Sequence, residues 1–182
     1  MSATEATVDT RLDVIDALLR AAGSELGRTA IMKCLYILQE VEGLPLGYRF
    51  GLYTYGPYDA QVLNDLGYAE ALGRVTSRLT RFPNGNQGYL YRAAGKRDVA
   101  LDETARDAVK KVAKAFATRT AADLETVSTI LFVDRHHLRA REKVGVETLV
   151  SEVHAIKPHL TTERIRAEIE SLRRQGYLRA VA

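Results

Sequence analysis

The sequence predicts a mainly α-helical protein with a small β-hairpin or sheet, and three observations lead to this fold class. Residues 30–38 are apolar on almost every side apart from Lys33, which is typical of a helix buried between neighbouring elements. Tyr48, Phe50 and Leu52 alternate with other residues in the period-two pattern of a half-buried strand. Beyond residue 101, apolar residues recur at helical spacing, so we expect helices to dominate the C-terminal half.

The first two predicted helices are separated by only a short turn. Helix one begins near Thr10, which can form a capping-box-like pair with Asp13, and it ends at Gly23. Thr29 is the expected N-cap of the second helix, which is the buried segment. Because so short a connection leaves little freedom, we expect the two helices to be close antiparallel or crossed neighbours.

A strand and a third helix follow. The strand covers residues 48–55 and is stopped by Gly56 and Pro57. Asp59 is the expected N-cap of the third helix, which ends at Gly73. Its inward-facing residues are Val62, Leu63 and Leu66.

Residues 75–82 and 89–92 predict a β-hairpin around the turn-forming residues 83–88. Three helices followed by a hairpin is the element order of a winged helix, in which the hairpin is the wing. The strand at 48–55 is placed so that it could pair with this wing. We therefore predict a winged-helix-like N-terminal lobe over residues 1–95.

Residues 96–182 are predicted to form a helical lobe packed on the first, so that the chain is one compact domain overall. Residues 95–101 are the expected linker. The predicted helix boundaries are Asp102, a capping box of Thr120 and Asp123, Pro158 after residues 149–156, and Thr161 or Thr162 as the cap of a last helix that ends at Gly176.

The composition excludes several classes of protein. A chain of 182 residues that is 46% hydrophobic and 27% charged is typical of one well-cored globular domain. No apolar run reaches membrane-spanning length, and residues 1–11 lack the apolar core of a signal peptide. We therefore expect a cytoplasmic protein without a membrane partner. Cys34, the single cysteine, lies in the buried helix and is expected to be an inert core thiol.

No residue pattern indicates catalysis, a cofactor or a metal site. The sequence contains no G-x-S-x-G elbow, no G-x-G-x-x-G loop and no G-x-x-x-x-G-K-[ST] loop. His136 and His137 are adjacent, so on a helix their side chains diverge by about 100°, and no zinc-binding spacing surrounds them. We expect a protein that is not an enzyme and that needs neither cofactor nor metal.

The densest aromatic cluster is the candidate partner-binding site. Four tyrosines fall between residues 48 and 58, and tyrosine supplies large amphipathic contact area with little rotamer entropy. Strand alternation places Tyr48 on the inner face and Tyr53 and Tyr55 on the outer face, and it leaves the side of Tyr58, beyond the Gly-Pro turn, open. The alternative is a sharp strand-to-helix corner whose tyrosines pack in the core. The candidate residues are Tyr53, Tyr55, Gly56, Pro57 and Tyr58.

Basic residues suggest a second candidate surface, for nucleic acid. Residues 1–91 carry 8 basic and 10 acidic groups, a net charge of −2, whereas residues 92–182 carry 18 and 13, a net charge of +5. Interleaved glutamates on the last helix also fit a salt-bridged, solvated face. The candidate phosphate-binding residues are Arg78, Arg81, Arg135, Arg139, Arg141, Lys143, Arg164 and Arg166.

The segments KCLYILQE and LGYRFGLYTYGPYDAQVLNDL resemble the YwgA-type uncharacterised proteins and, more distantly, the Panacea (SocA-like antitoxin) domains. The matching residues of this first block are Lys33, Tyr36, Tyr55, Gly56, Pro57 and Tyr58. The C-terminal half agrees through an apolar helix around Ile130, Lys157 with Pro158, and a helix that ends in Leu172, Gly176, Tyr177 and Leu178.

The resemblance implies a bacterial or phage-associated binding protein without known catalysis. Panacea domains neutralise toxins by binding them, so an antitoxin-like protein-protein interaction module is the expected function. A toxin or a defence-system component is the expected partner, and the chain is compatible with a homodimer. The alternative is a winged-helix DNA-binding protein that acts as a regulator or in phage defence.

Overall fold

The computed structural model describes residues 7–82 and 85–181. Pro83 and Asn84, in the predicted hairpin turn, lie outside the described residues. Within these two ranges the chain forms seven helices and five strands, which confirms the mainly α prediction. The elements are α1 Val8–Ala22, β1 Leu26–Gly27, α2 Arg28–Glu40, β2 Gly51–Tyr53, β3 Gly56–Tyr58, α3 Ala60–Ala71, β4 Val75–Arg81, β5 Gln87–Ala93, α4 Glu103–Phe116, α5 Ala121–Ala140, α6 Val146–Ile156 and α7 Thr162–Arg174.

The described residues divide into two compact units. The first contains the chain up to Gly51 and from Tyr58 to Ala121, and the second contains Leu52–Pro57 and the chain from Ala122 onward. This division differs from the boundary after residue 95 that the sequence suggested. In the first unit α4 packs against α1 and α2, and it buries Val109, Val112 and Phe116 there.

The helices of the first unit lie where the sequence predicts them, but the prediction of Thr29 as the N-cap of α2 is wrong, because Gly27 is the N-cap and the helix begins at Arg28. The Thr7 hydroxyl accepts a hydrogen bond from the Thr10 backbone N–H, so Thr7 is the N-cap of α1 and the helix starts before the predicted Thr10. Gly23 ends α1 in the left-handed conformation, as predicted. The α2 helix is buried on every side from Ile31 to Leu38, including Lys33, which confirms its prediction as a central helix.

The wing is present, but its third strand is not the predicted one. The sheet has the order β1-β5-β4, with β5 antiparallel to both neighbours and Leu26 opposite Tyr91. The element order with β1 beside β5 is that of a winged helix. The expectation that residues 48–55 pair with the wing is wrong, because β2 pairs with β3 in a separate two-stranded sheet.

Side-chain hydrogen bonds explain why the predicted strand is short. The Gln39 amide accepts a hydrogen bond from Tyr48 N at 2.8 Å and donates one to Tyr48 O at 2.9 Å. Arg49 N donates to Asp59 Oδ2 at 2.5 Å. Side chains therefore bind both backbone groups of Tyr48 and the N–H of Arg49 in place of a neighbouring strand, and the β structure starts at Gly51.

The second unit is built on α5, which buries Leu124, Val127, Ile130 and Leu131. Next to it α6 packs against α7, and the Thr161 hydroxyl caps α7 by accepting a hydrogen bond from Arg164 N. In the described ranges, no helix is long and apolar enough to cross a membrane.

Candidate partner-binding hairpin

The tyrosines of the β2–β3 hairpin are presented to solvent at its turn. Tyr53 is 65% exposed and Tyr55 is 70% exposed, whereas Gly56 and Pro57 are buried and Tyr58 is half-buried. This agrees with the strand alternation, which placed Tyr48 inside and Tyr53 and Tyr55 outside. The hairpin therefore combines an exposed aromatic tip with a buried Gly-Pro base.

The base of the hairpin lies directly against the first half of α5. Gly56 adopts a positive φ of 86°. A Cβ at this position would lie 3.1 Å from Ser128 Oγ and 3.2 Å from Thr129 Oγ1, and 3.6 Å from the Glu125 carbonyl oxygen. Glycine is therefore required here for two reasons, the backbone conformation and the close approach of α5.

A buried lysine fixes the other side of the tip. Lys157 follows α6, is 2% exposed, and donates to the Thr54 carbonyl oxygen in the hairpin turn. Its ammonium group also pairs with Glu125 Oε1 at 2.5 Å. The hairpin turn is thus linked to α5, which carries Glu125, and to the end of α6, which is followed by Lys157. The carboxylate of Glu125 neutralises the buried charge of Lys157.

Sequence reasoning placed the tyrosines but missed the residues that support them. Ser128 and Thr129 read as ordinary positions within an amphipathic helix, and Glu125 gave no signal. In the sequence, Lys157 stands out only because Lys157 and Pro158 contribute to the family resemblance. These positions are 32 to 103 residues away from their partners along the chain, a distance at which periodicity carries no information.

The tip supplies aromatic faces and phenol hydroxyls, which suit recognition of another protein. In the part of the chain that the structure describes, no cluster of three or more His, Cys, Asp or Glu side chains could hold a metal ion.

Of the two basic candidates on the wing, one is engaged by a carboxylate and the other is exposed. Arg78 is paired with Glu25, with Arg78 Nη2 2.6 Å from Glu25 Oε2. This bond raises the pKa of Arg78 and lowers the pKa of Glu25. Arg81 is exposed. The α3 helix, which precedes the wing, contains no lysine or arginine, although a DNA-reading helix usually contacts phosphates through such residues.

The basic residues of the C-terminal half are mostly engaged in ion pairs or backbone contacts. Arg135 is 4% exposed, pairs with Asp134 at 2.7 Å and donates to the Tyr177 carbonyl oxygen at 2.8 Å. Its assignment to a nucleic-acid surface is therefore wrong, because the guanidinium fixes the C-terminal segment inside the unit.

The remaining candidates of this half lie at the surface. Arg164 pairs with Asp123 at 3.0 Å, and Arg166 pairs with Glu147 at 2.6 Å, as expected for a salt-bridged helix face. Lys143 donates to the Arg179 carbonyl oxygen at 2.7 Å. Arg139 and Arg141 are exposed near the end of α5.

Comparisons of the chain with models of protein families, with curated proteins and with solved structures found no match.

Proposed function

We propose that this chain is a non-enzymatic protein-binding module that recognises its partner through the β2–β3 hairpin. The observation that carries the proposal is the exposed pair Tyr53 and Tyr55 on a turn that Lys157 and α5 hold in place. The YwgA and Panacea resemblance supports a toxin or a defence-system component as the partner.

Preorganisation is the physical reason to favour this surface. Binding through a flexible loop costs conformational entropy for each side chain and backbone segment that becomes ordered. Here the backbone beneath the tyrosines is already tied down by the Lys157 contact and by the close approach of Gly56 to Ser128. Exposed aromatic rings on such a support have the properties of interface hot spots.

The second candidate function is DNA binding, which the winged-helix order of the first unit favours. Two observations weigh against it. The α3 helix has no basic residue, and the Arg78 guanidinium is already occupied by Glu25. Arg81 in the first unit, and Arg139 and Arg141 in the second, are exposed candidates whose contact with nucleic acid can be tested.

The test is capture of partners from the native host with the purified protein, followed by mass spectrometry. The Tyr55→Ala variant is compared with Tyr68→Ala, which removes another half-exposed tyrosine from α3. A partner captured by the parent and by Tyr68→Ala, but lost with Tyr55→Ala, supports the proposal. With the partner in hand, Tyr55→Ala should weaken binding by about 2 kcal/mol or more, which is about 30-fold in Kd.

Thermal melting of the same variants shows whether the tyrosines act through the fold. An unchanged Kd for both Tyr53→Ala and Tyr55→Ala would place the partner elsewhere on the molecule. Duplex DNA is the parallel probe. Micromolar or tighter binding that falls steeply as salt rises, and that is lost when Arg81, Arg139 and Arg141 are replaced by alanine, would favour the second function.

A further inference from the structure

His137 lies in the last turn of α5 with both ring nitrogens engaged by carboxylates. Its Nδ1 is 2.8 Å from Glu142 Oε2, and its Nε2 is 2.7 Å from Glu152 Oε2. Glu142 lies in the turn after α5, and Glu152 lies on α6. The imidazole side chain is 10% exposed, so it joins three parts of the second unit from a largely buried position.

This geometry fixes the charge of the ring. An ionised carboxylate only accepts hydrogen bonds, and a neutral imidazole has a single N–H to donate. Two carboxylates at hydrogen-bond distance from the two nitrogens are both satisfied only by the imidazolium form. Consistently, the hydrogen bond to Glu152, followed by that to Glu142, raises the pKa of His137, while burial opposes the shift.

Titratable side chains from three parts of the second unit lie beside His137. Glu142 from the turn and Glu152 from α6 are the charged groups that influence His137 directly. On its own helix the ring of His136 makes an edge contact, with the two ring centroids 5.9 Å apart. His137 and Glu152 also line an open surface pocket of about 420 Å³, together with Phe132, Val133, His136, Ala155 and Ile156.

We propose that His137 is a pH-sensitive clamp. As an imidazolium it ties the segment after α5, through Glu142, and α6, through Glu152, to the end of α5. When it loses its proton, it releases one of these two carboxylates. Release of Glu152 breaks the tie between α5 and α6 beside the adjacent pocket. This device does not depend on the function proposed above.

The direction of the pH dependence follows from the raised pKa. A histidine whose folded pKa lies above the unfolded value, ordinarily near 6.5, binds its proton more tightly in the folded protein. Its contribution to stability is complete below pH 6.5 and is lost as the pH rises through the folded pKa. The clamp is therefore closed in mildly acidic solution and opens toward alkaline pH.

NMR titration of the imidazole resonances tests the clamp in the intact protein. We expect His137 to titrate above 6.5, and its pKa to fall when Glu152→Gln removes the first carboxylate. Amide exchange is the second readout. The amide protection factors of α6 should fall as the pH rises through the pKa of His137. The total fall should be about tenfold for each pH unit by which the folded pKa exceeds the unfolded value.

The matched variants are His137→Gln and His136→Gln. They replace adjacent imidazole rings, and His137 is the one that contacts Glu142 and Glu152. His137→Gln should abolish the pH-dependent part of the α6 protection, and His136→Gln should retain it. A His137 pKa at or below 6.5 in the parent, or identical pH profiles for the parent and His137→Gln, would overturn the proposal.

Discussion

Gly56 and Ser128 approach each other so closely that a Cβ on residue 56 would lie 3.1 Å from the serine hydroxyl oxygen. Real Cβ atoms seldom come this near to another heavy atom, so a side chain at residue 56 would force Ser128 or the hairpin to move. The φ of 86° adds a conformational demand at the same residue. The Tyr-Gly-Pro turn is thus matched to the surface of one particular helix.

Comparing Gly56→Ala with Gly176→Ala separates the cost of the positive φ from the cost of the close approach to Ser128. Gly176 has a φ of 76° but no heavy atom within 4 Å of the added Cβ, so its substitution costs the backbone strain alone, about 1 to 2 kcal/mol. Gly56→Ala should cost measurably more in chemical denaturation, because Ser128 and Thr129 must also move. Equal losses for the two variants would show that the close approach carries no energy.

Removing one partner of the buried Lys157–Glu125 ion pair should destabilise the protein more than removing both partners. Lys157→Met leaves Glu125 without its cation and should lower the free energy of unfolding by about 3 to 5 kcal/mol. The double variant Lys157→Met, Glu125→Leu should recover much of this loss, because no charge is stranded. Denaturant titration of both variants measures the difference. If the single and double variants unfold alike, the pair is not desolvated in solution.

The central helix should be sensitive to a cavity. Leu35 on α2 is fully buried, so Leu35→Ala should lose about 2 to 5 kcal/mol. Leu79→Ala is the control, since Leu79 is 56% exposed on the wing and its truncation should cost less than about 0.5 kcal/mol. Both values come from urea unfolding curves. Indistinguishable midpoints for the two variants would contradict the burial of α2.

Cys34 should be chemically silent in the folded protein. Burial raises the pKa of its thiol to about 12, so almost no thiolate exists at pH 8, and the sulfur is fully covered. A disulfide reagent should react fast in guanidinium and scarcely at all without it.

The raised thiol pKa also gives a stability prediction. The folded chain keeps the Cys34 proton that the unfolded chain releases near pH 9, so stability falls as the pH rises from 9 toward 12. The Cys34→Ala variant should lose this part of the dependence. Rapid reaction of the disulfide reagent with Cys34 in the native protein would contradict the labelling prediction and would show that α2 opens frequently.

The sequence predicted those features that depend on neighbours along the chain. The apolar pattern of α2, the Asp59 cap of α3 and the Gly23 end of α1 are each decided within one or two helical turns, and all three are present. The exposure of Tyr53 and Tyr55 followed from strand alternation in the same way.

Features decided by distant contacts were not predictable. The strand that completes the wing has only two residues, Leu26 and Gly27, which is too short for any periodic signal. Arg135 looked like a surface cation because nothing local reveals that it is buried and donates to the Tyr177 carbonyl, 42 residues further along the chain. The support of the hairpin by Glu125 and Lys157 likewise appears only when the chain is folded.

The Lys157 contact with Thr54 has a consequence for the order in which a newly made chain matures. The two residues are 103 positions apart, so at about 5 to 20 residues per second the ribosome makes the tyrosine tip roughly 5 to 20 s before the lysine that fixes it. The α5 helix is made during this interval, but until Lys157 is added nothing donates to the Thr54 carbonyl from the α6 side. A partner that recognises the fixed tip therefore distinguishes a finished chain from a nascent one.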